Sequence, residues 1–181
     1  MSIVTQSIAK VSTVTLLACI ASFAAACDPE SGSETADADA EIVDAHIEII
    51  RDRIAANNAR DWSAWQALHT EDAVRTAPEL AGPLEGSAAM RAGIEELVET
   101  FPDYNLELVE AFGVDDRLMA RITASGTMTG PIDIGGVEVP PTGLRFEQDW
   151  IAVLTFEGDK IAVIEEFHDN YTLLIQLGLA Q

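Results

Sequence analysis

The 181-residue chain carries 31 acidic against 10 basic side chains, for a net charge of −21, and has only two cysteines. A surface this acidic repels nucleic acid and anionic lipid headgroups, which argues against both as partners of the folded part. Cys19 and Cys27 both fall near the N-terminus, so the remainder has no disulfide, no thiolate metal site and no cysteine nucleophile.

Met1–Lys10 is short and polar, Val11–Ala26 is uncharged and rich in Val, Leu, Ile and Ala, and Asp28-Pro29-Glu30 follows at once. That pattern describes a secretory signal; a membrane-spanning helix would want roughly 20 apolar residues. Ala24-Ala25-Ala26-Cys27 has the form of a bacterial lipoprotein cleavage site, with the Cys27 thiol acylated and Cys27 becoming the mature N-terminus. Two acyl chains would anchor the protein stably, since each buried methylene contributes about 0.8 kcal/mol. Plain cleavage after Ala26 also fits, and Leu16-Leu17-Ala18-Cys19 is a second local match that would leave apolar Ile20–Ala26 on the mature chain. Residues 1–26 are therefore expected to be the signal, 27–40 a flexible acidic tether and 41–181 one folded domain. The expected location is the cell envelope, on the periplasmic or cell-surface side, with lipid as the sole membrane contact. Cleavage would take Lys10 with it and leave −22.

Val43, Ile47, Ile50 and Ile54 recur at helical spacing, which predicts an amphipathic helix with Glu48, Arg51 and Arg53 turned to solvent. Asn57-Asn58-Ala59-Arg60 ends it, and Asp61 caps a short second helix carrying Trp62, Trp65 and Leu68. Ala73-Val74 is a short strand candidate, Ala77–Gly86 a loop, and Ser87 the cap of a third helix with Met90, Ile94, Leu97 and Phe101 on one face. Pro102-Asp103 stops that helix.

From Tyr104 the period changes to two. Tyr104, Leu106 and Leu108 alternate with their neighbours as a strand, Asp115-Asp116 turns the chain, and Leu118–Met128 is the next strand. Ile132–Val139 is a short excursion interrupted by Gly135-Gly136. Arg145–Phe156 and Lys160–Asp169 form a hairpin, and Thr172–Leu177 a final helix ended by Gly178. Helices first and an antiparallel sheet afterwards predict an α+β fold, a curved sheet packed on about three N-terminal helices with a cone-shaped interior.

Asn58-Ala59-Arg60-Asp61, Phe101-Pro102-Asp103, Gly126-Thr127-Met128-Thr129-Gly130, Pro140-Pro141-Thr142-Gly143 and Gln176-Leu177-Gly178 follow one another in an order and spacing that resembles the SnoaL-like polyketide cyclase family. The resemblance runs from about Glu41 to the C-terminus. It implies the cone-shaped fold of the steroid delta-isomerases and nuclear transport factor 2, and a homodimer or homotetramer formed through the sheet. In the polyketide-cyclising members, an aspartate on the last strand is the acid/base and a histidine on the preceding strand orients the substrate. Aligned without gaps from Phe146 to Gly178, those positions are Glu166 and Ala152: the carboxylate is kept one methylene longer and the histidine is not. Fold alone does not fix chemistry.

Strand parity bears on the same residues. Phe146, Gln148, Trp150, Ala152, Leu154 and Phe156 form the mostly apolar face of their strand, and Ala162, Ile164, Glu166 and His168 share the matching parity on the next. Glu166 and His168 would then lie about 7 Å apart at Cβ on one face. Burial disfavours the charged form of a carboxylic acid, which suits such a group to proton transfer near neutral pH. The expected reaction is proton abstraction beside a carbonyl, with Glu166 as acid/base and His168 holding a substrate oxygen or sharing the proton. Gln148 and Trp150 would orient and stack the substrate, with Trp65 as lid.

Other assignments stay open at this point. The odd face, with Glu165, Phe167 and Asp169, could instead face inward near the strand end, and His168 could be a rim residue. Asp169 lies beside the site but is well placed to cap the last helix. Arg121 could bind a substrate carboxylate or pair with an acidic neighbour across the sheet. His46, His69 and His168 form no spaced metal motif, and no phosphate loop or nucleophile elbow is present, so neither metal nor cofactor is expected. Two functions fit: a cofactor-free cyclase-, isomerase- or dehydratase-type enzyme acting on a small apolar carbonyl compound in a hydrophobic pocket, or a non-catalytic binding module for a small hydrophobic ligand.

Overall fold

The computed structural model describes residues 30–134 and 136–180, with side chains from Asp39 onward; the signal segment and Cys27 lie outside the described residues. The first helix, α1 (Glu30–Ala59), begins well before Glu41 and takes up most of the segment expected to be a tether. Its buried stripe is His46, Ile50, Arg53, Ile54 and Asn57, rotated from the one expected, with Val43 and Ile47 half-buried. Arg51 and Glu48 do face solvent, as an ion pair. Arg53 does not.

Arg60 takes a left-handed conformation (φ 60°) and turns the chain into α2 (Trp62–Ala67), whose first turn is capped by the Asp61 side chain on Ala64 N. The strand β1 (His69–Thr76) is longer than the two residues expected, and β2 (Leu84–Glu85) pairs with it inside the predicted loop. In α3 (Ser87–Thr100) the cap position is Gly86 (φ 88°), without a side-chain bond; Ser87 Oγ instead accepts from Gln66. The chain continues as β3 (Asn105–Val114), β4 (Arg117–Thr127), a small hairpin of β5 (Ile132–Ile134) and β6 (Val137–Val139), β7 (Arg145–Glu157), β8 (Lys160–Phe167) and α4 (Asn170–Gln176).

The main sheet runs β2-β1-β8-β7-β4-β3. Every neighbouring pair is antiparallel except β1 with β8, which is parallel, because the chain reaches β1 before the meander begins and returns to it last. The architecture is the expected α+β: a curved, mainly antiparallel sheet with helices on its inner face. On that face, Leu118, Ala120, Ile122 and Ala124 of β4 and Phe146, Ala152, Leu154 and Phe156 of β7 bury against Ile50 and Ile54 of α1, with Met90 of α3 and Trp65 of α2 in the same core. Small residues at 120, 124 and 152 keep the sheet floor low where the helices cross it.

Four of the five short motifs bond to one another in turn, and the fifth bonds to the start of β7. Arg60 donates to the Pro102 and Tyr104 carbonyls, and Asn58 bonds both backbone groups of Leu106. Asp103 receives the backbone and hydroxyl of Thr127. Met128 exchanges backbone bonds with Gly143 and Leu144, and the Gln176 side chain caps Glu147. Gly130 lies so close to the Glu99 carbonyl that a Cβ there would collide with it. These segments lock helices to sheet, and none of these bonds involves Glu166 or His168.

Candidate active site

Parity holds on both strands of the terminal hairpin. Glu166 lies beside Ala152 in the register of β7 and β8 and is 7% exposed. The two positions that the resemblance aligns with an acid/base and its histidine therefore do face each other. Glu166 is not a bare acid in a greasy funnel, however. Its Oε2 accepts from Arg75 Nη2 at 2.6 Å. Its Oε1 makes no hydrogen bond among the described residues.

Arg75 comes from β1, whose parallel pairing sets it beside Ile164 of β8. The same Nη2 donates to Glu79 Oε1 at 2.8 Å, and Glu79 Oε2 bonds His168 Nε2 at 3.1 Å. The result is one chain of charge: Glu166, Arg75, Glu79, His168. Burial would raise the Glu79 carboxyl, but the His168 hydrogen bond and then Arg75 more than reverse this and hold it at about 2. The Arg75 guanidinium pays a desolvation cost, which Glu166 and then Glu79 outweigh, so its pKa is raised.

His168 follows β8 with its side chain only 2% exposed, so it is not a rim residue. Its ring stacks on Trp150 at 4.9 Å, and Nδ1 is buried without a partner among the described residues. In the tautomer that donates from Nε2 to Glu79, Nδ1 would be the acceptor for a substrate hydroxyl. No hydrogen bond joins His168 directly to Glu166 among the described residues; Glu79 and Arg75 connect them. The Gln148 amide, oriented to satisfy both neighbours, accepts from Trp150 Nε1 at 2.8 Å and donates to the Asp169 carbonyl at 3.3 Å. Gln148 thus holds Trp150 in place.

A second polar cluster lies in the same interior. Arg53 Nε donates to His69 Nε2 at 3.2 Å, and His69 Nδ1 donates to the Trp65 carbonyl at 2.9 Å. Burial, and then the adjacent Arg53, push His69 down to about 3, so it is neutral at physiological pH and accepts at Nε2. The Arg53 guanidinium sits 5.2 Å above the Trp65 ring. Tyr104, 3% exposed, lies 6.2 Å from Trp150 between ring centroids. Burial and then Glu166 raise its phenol, which stays protonated.

One expectation changes and two open alternatives are decided. Trp65 is fully packed against His69 and is a wall of the core rather than a lid. Arg121 lies on the outer face, paired with Glu110 at 2.8 Å and Asp149 at 2.9 Å, and cannot reach an interior substrate. The Asp169 carboxylate is engaged as the cap of α4, accepting from Tyr171 N, Thr172 N and Thr172 Oγ1, and these bonds lower its pKa. Within the expected hydrophobic pocket, the surroundings of Glu166 are more charged than the strand pattern alone implied. Two hollows, of 480 Å³ beside His46, Ile49, Asp116 and Gly158 and of 290 Å³ on the outer face beside Phe112 and Val153, both lie away from Glu166.

Sequence reasoning missed Arg75, Glu79 and Arg53. Extending the Ala73 strand by one residue would have put Arg75 on the same side as Ala73, because strand positions two apart share a face.

The comparisons agree with this architecture. The family model for SnoaL-like polyketide cyclases matches residues 47–177. Among solved structures, TsrD from Streptomyces laurentii is similar at 27% identity, covering 75% of this chain and 96% of that one, with a TM-score of 0.64. AclR from Streptomyces galilaeus, provisionally described as a hydroxylase, is similar at 27% identity over 75% of this chain and 86% of its own, with a TM-score of 0.62. IdmH from Streptomyces antibioticus, provisionally described as a polyketide cyclase, is similar at 27% identity over 72% of this chain and 96% of its own, also at 0.62. The search of curated protein sequences gave no significant match. Family and fold together suggest a small-molecule binding or cyclase role. With the matched region spanning nearly all of the folded domain, the chain belongs to the SnoaL-like polyketide cyclase family.

Proposed function

We propose that the protein is a cofactor-free acid/base enzyme that removes a proton from the carbon beside a carbonyl in a small, largely apolar molecule. The observation that supports this is Glu166: buried on the inner face, held by Arg75 through one oxygen and open at the other. Oε1 would take the proton as charge moves onto the carbonyl oxygen. His168, fixed by Glu79 and Trp150, would accept a hydroxyl proton or return one to the product. Cyclisation, isomerisation or elimination would then follow from the substrate's own structure. Deuterium uptake from D2O at the α-carbon of a panel of aryl ketones, aryl β-keto esters and carboxylate-bearing aryl ketones tests the reading. Exchange accelerated by the protein supports it, and no acceleration across the panel opposes it.

A second reading, a binding module without chemistry, is favoured by Ala152 standing where the cyclising members have their histidine, and by the engagement of one Glu166 oxygen in an ion pair. It predicts ligand binding without proton exchange.

Anchoring and assembly belong to the same proposal. Acylated Cys27 would tether the domain to an envelope membrane. Copies would associate through the outer face of the sheet, where Phe112, Met119 and Val153 align across three strands and Phe112, Val114 and Phe167 are exposed.

A further inference from the structure

A cation taken out of water needs a counter-charge bonded to it, and one buried guanidinium, that of Arg53, has no carboxylate in hydrogen-bond contact among the described residues. Removing it from solvent costs several kcal/mol unless it is paired and hydrogen-bonded. Arg75 meets that requirement with two carboxylates. Arg53, 7% exposed, does not. It spends Nε on the neutral ring of His69 and lays its face over Trp65. Its Nη1 and Nη2 make no hydrogen bond among the described residues, which leaves a planar fork of four N–H groups. Tyr104 is still more buried, and its hydroxyl likewise makes no hydrogen bond among the described residues. Glu166 acts on the charge of Arg53 from nearby, but its bond goes to Arg75.

The fork is also held in place. His69 is fixed by the Trp65 carbonyl and holds Arg53 at Nε, which orients the guanidinium and leaves its Nη1–Nη2 edge unbonded among the described residues. That edge matches a carboxylate, which accepts two parallel N–H bonds, better than it matches a single ketone oxygen. Trp65 and Trp150 supply apolar walls for the body of the molecule.

From this geometry we infer that Arg53 receives a carboxylate of the ligand, with the Tyr104 hydroxyl as a further donor, so that the substrate is an apolar carboxylic acid rather than a neutral ketone or ester. The inference rests on the reading of Glu166 as a proton acceptor: the acid group is held at Arg53 while the carbon to be deprotonated faces Glu166. The acidic exterior opposes the approach of such an anion. Added salt screens that repulsion more than it screens a buried pair, so salt should leave affinity unchanged or raise it, contrary to a surface ion pair.

Calorimetric titration of the full chain with 2-naphthoate and its neutral analogue 2-naphthamide tests the inference without requiring turnover. The expected result is naphthoate binding at least tenfold tighter, at both low and moderate salt. R53M should abolish the preference, R53K should weaken naphthoate by about tenfold because the fork is lost, and R121Q on the outer face should leave it intact. If R53M does not fold, the wild-type preference and its reduction in Y104F carry the decision. Equal or weaker binding of naphthoate, no binding of either compound at millimolar concentration, or a preference that survives in folded R53M overturns the inference. E166Q should keep the preference. An acid preference with no Glu166-dependent proton exchange therefore removes the catalytic reading alone, and the converse removes this one alone.

Discussion

Replacing Arg75 by methionine removes the guanidinium that joins Glu166 to Glu79 while keeping most of the apolar stem. Glu166 is then a buried carboxylate with no cation bonded to it, and Glu79 keeps only His168. Removing one partner of a buried pair costs about 3–5 kcal/mol, because the remaining charge is left unsolvated. For a domain of this size that corresponds to a fall in Tm of roughly 10 °C. Glu166→Gln alone should cost less, since Arg75 retains Glu79. The double variant R75M/E166Q should recover at least about 2 kcal/mol relative to R75M, because the buried carboxylate stranded by loss of Arg75 is then neutral. Urea unfolding of the four proteins closes the cycle. A loss below about 1 kcal/mol in R75M, or strict additivity in the double variant, would refute the claim that this pair is buried and coupled.

Acid should destabilise the fold in two overlapping windows. His69 is neutral when folded, at about 3 against an ordinary 6.5, so the unfolded chain binds the extra proton as pH falls from 6.5 toward 3. Stability drops there by about 1.4 kcal/mol per pH unit from this group, and unfolding followed between pH 7 and 4.5 should show the slope flatten in His69→Asn. Glu79, lowered from 4.5 to about 2, loses its contribution as pH falls through that lower range. For assembly, Phe112→Asp places charge at the edge-strand end of the apolar row, on its most exposed member, and sedimentation at micromolar concentration should change from dimer or tetramer to monomer; a monomeric wild type would contradict the proposal. Mass spectrometry of the mature N-terminus should find diacylated Cys27, and an unmodified Cys27 terminus would contradict lipidation.

The fold was legible where pattern and burial coincide. Strand alternation placed Phe146 to Phe156 and Ala162 to Glu166 on the inner face, and the turn at Asp115-Asp116, the α2 cap at Asp61 and the α4 cap at Asp169 lie where local chemistry puts them. The missed residues share one cause. A hydrophobicity pattern treats a charged side chain as a solvent marker, whereas Arg53 occupies the buried stripe of α1, and Arg75 with Glu79 answers the inward carboxylate of Glu166 across a parallel pairing. That pairing joins residues distant in the chain, so no local window contains it. Arg121 illustrates the converse: a lone charge in an apolar strand, it proved to be a surface residue with two carboxylates beside it.

The comparison that bears most directly on the central claim is α-carbon deuterium exchange of an accepted aryl ketone, keto ester or keto acid by wild type and by folded Glu166→Gln. Loss of a general base should slow exchange by about 10²–10⁴-fold with binding retained. Exchange at the wild-type rate in the glutamine variant would contradict the assignment of Glu166 as the proton acceptor.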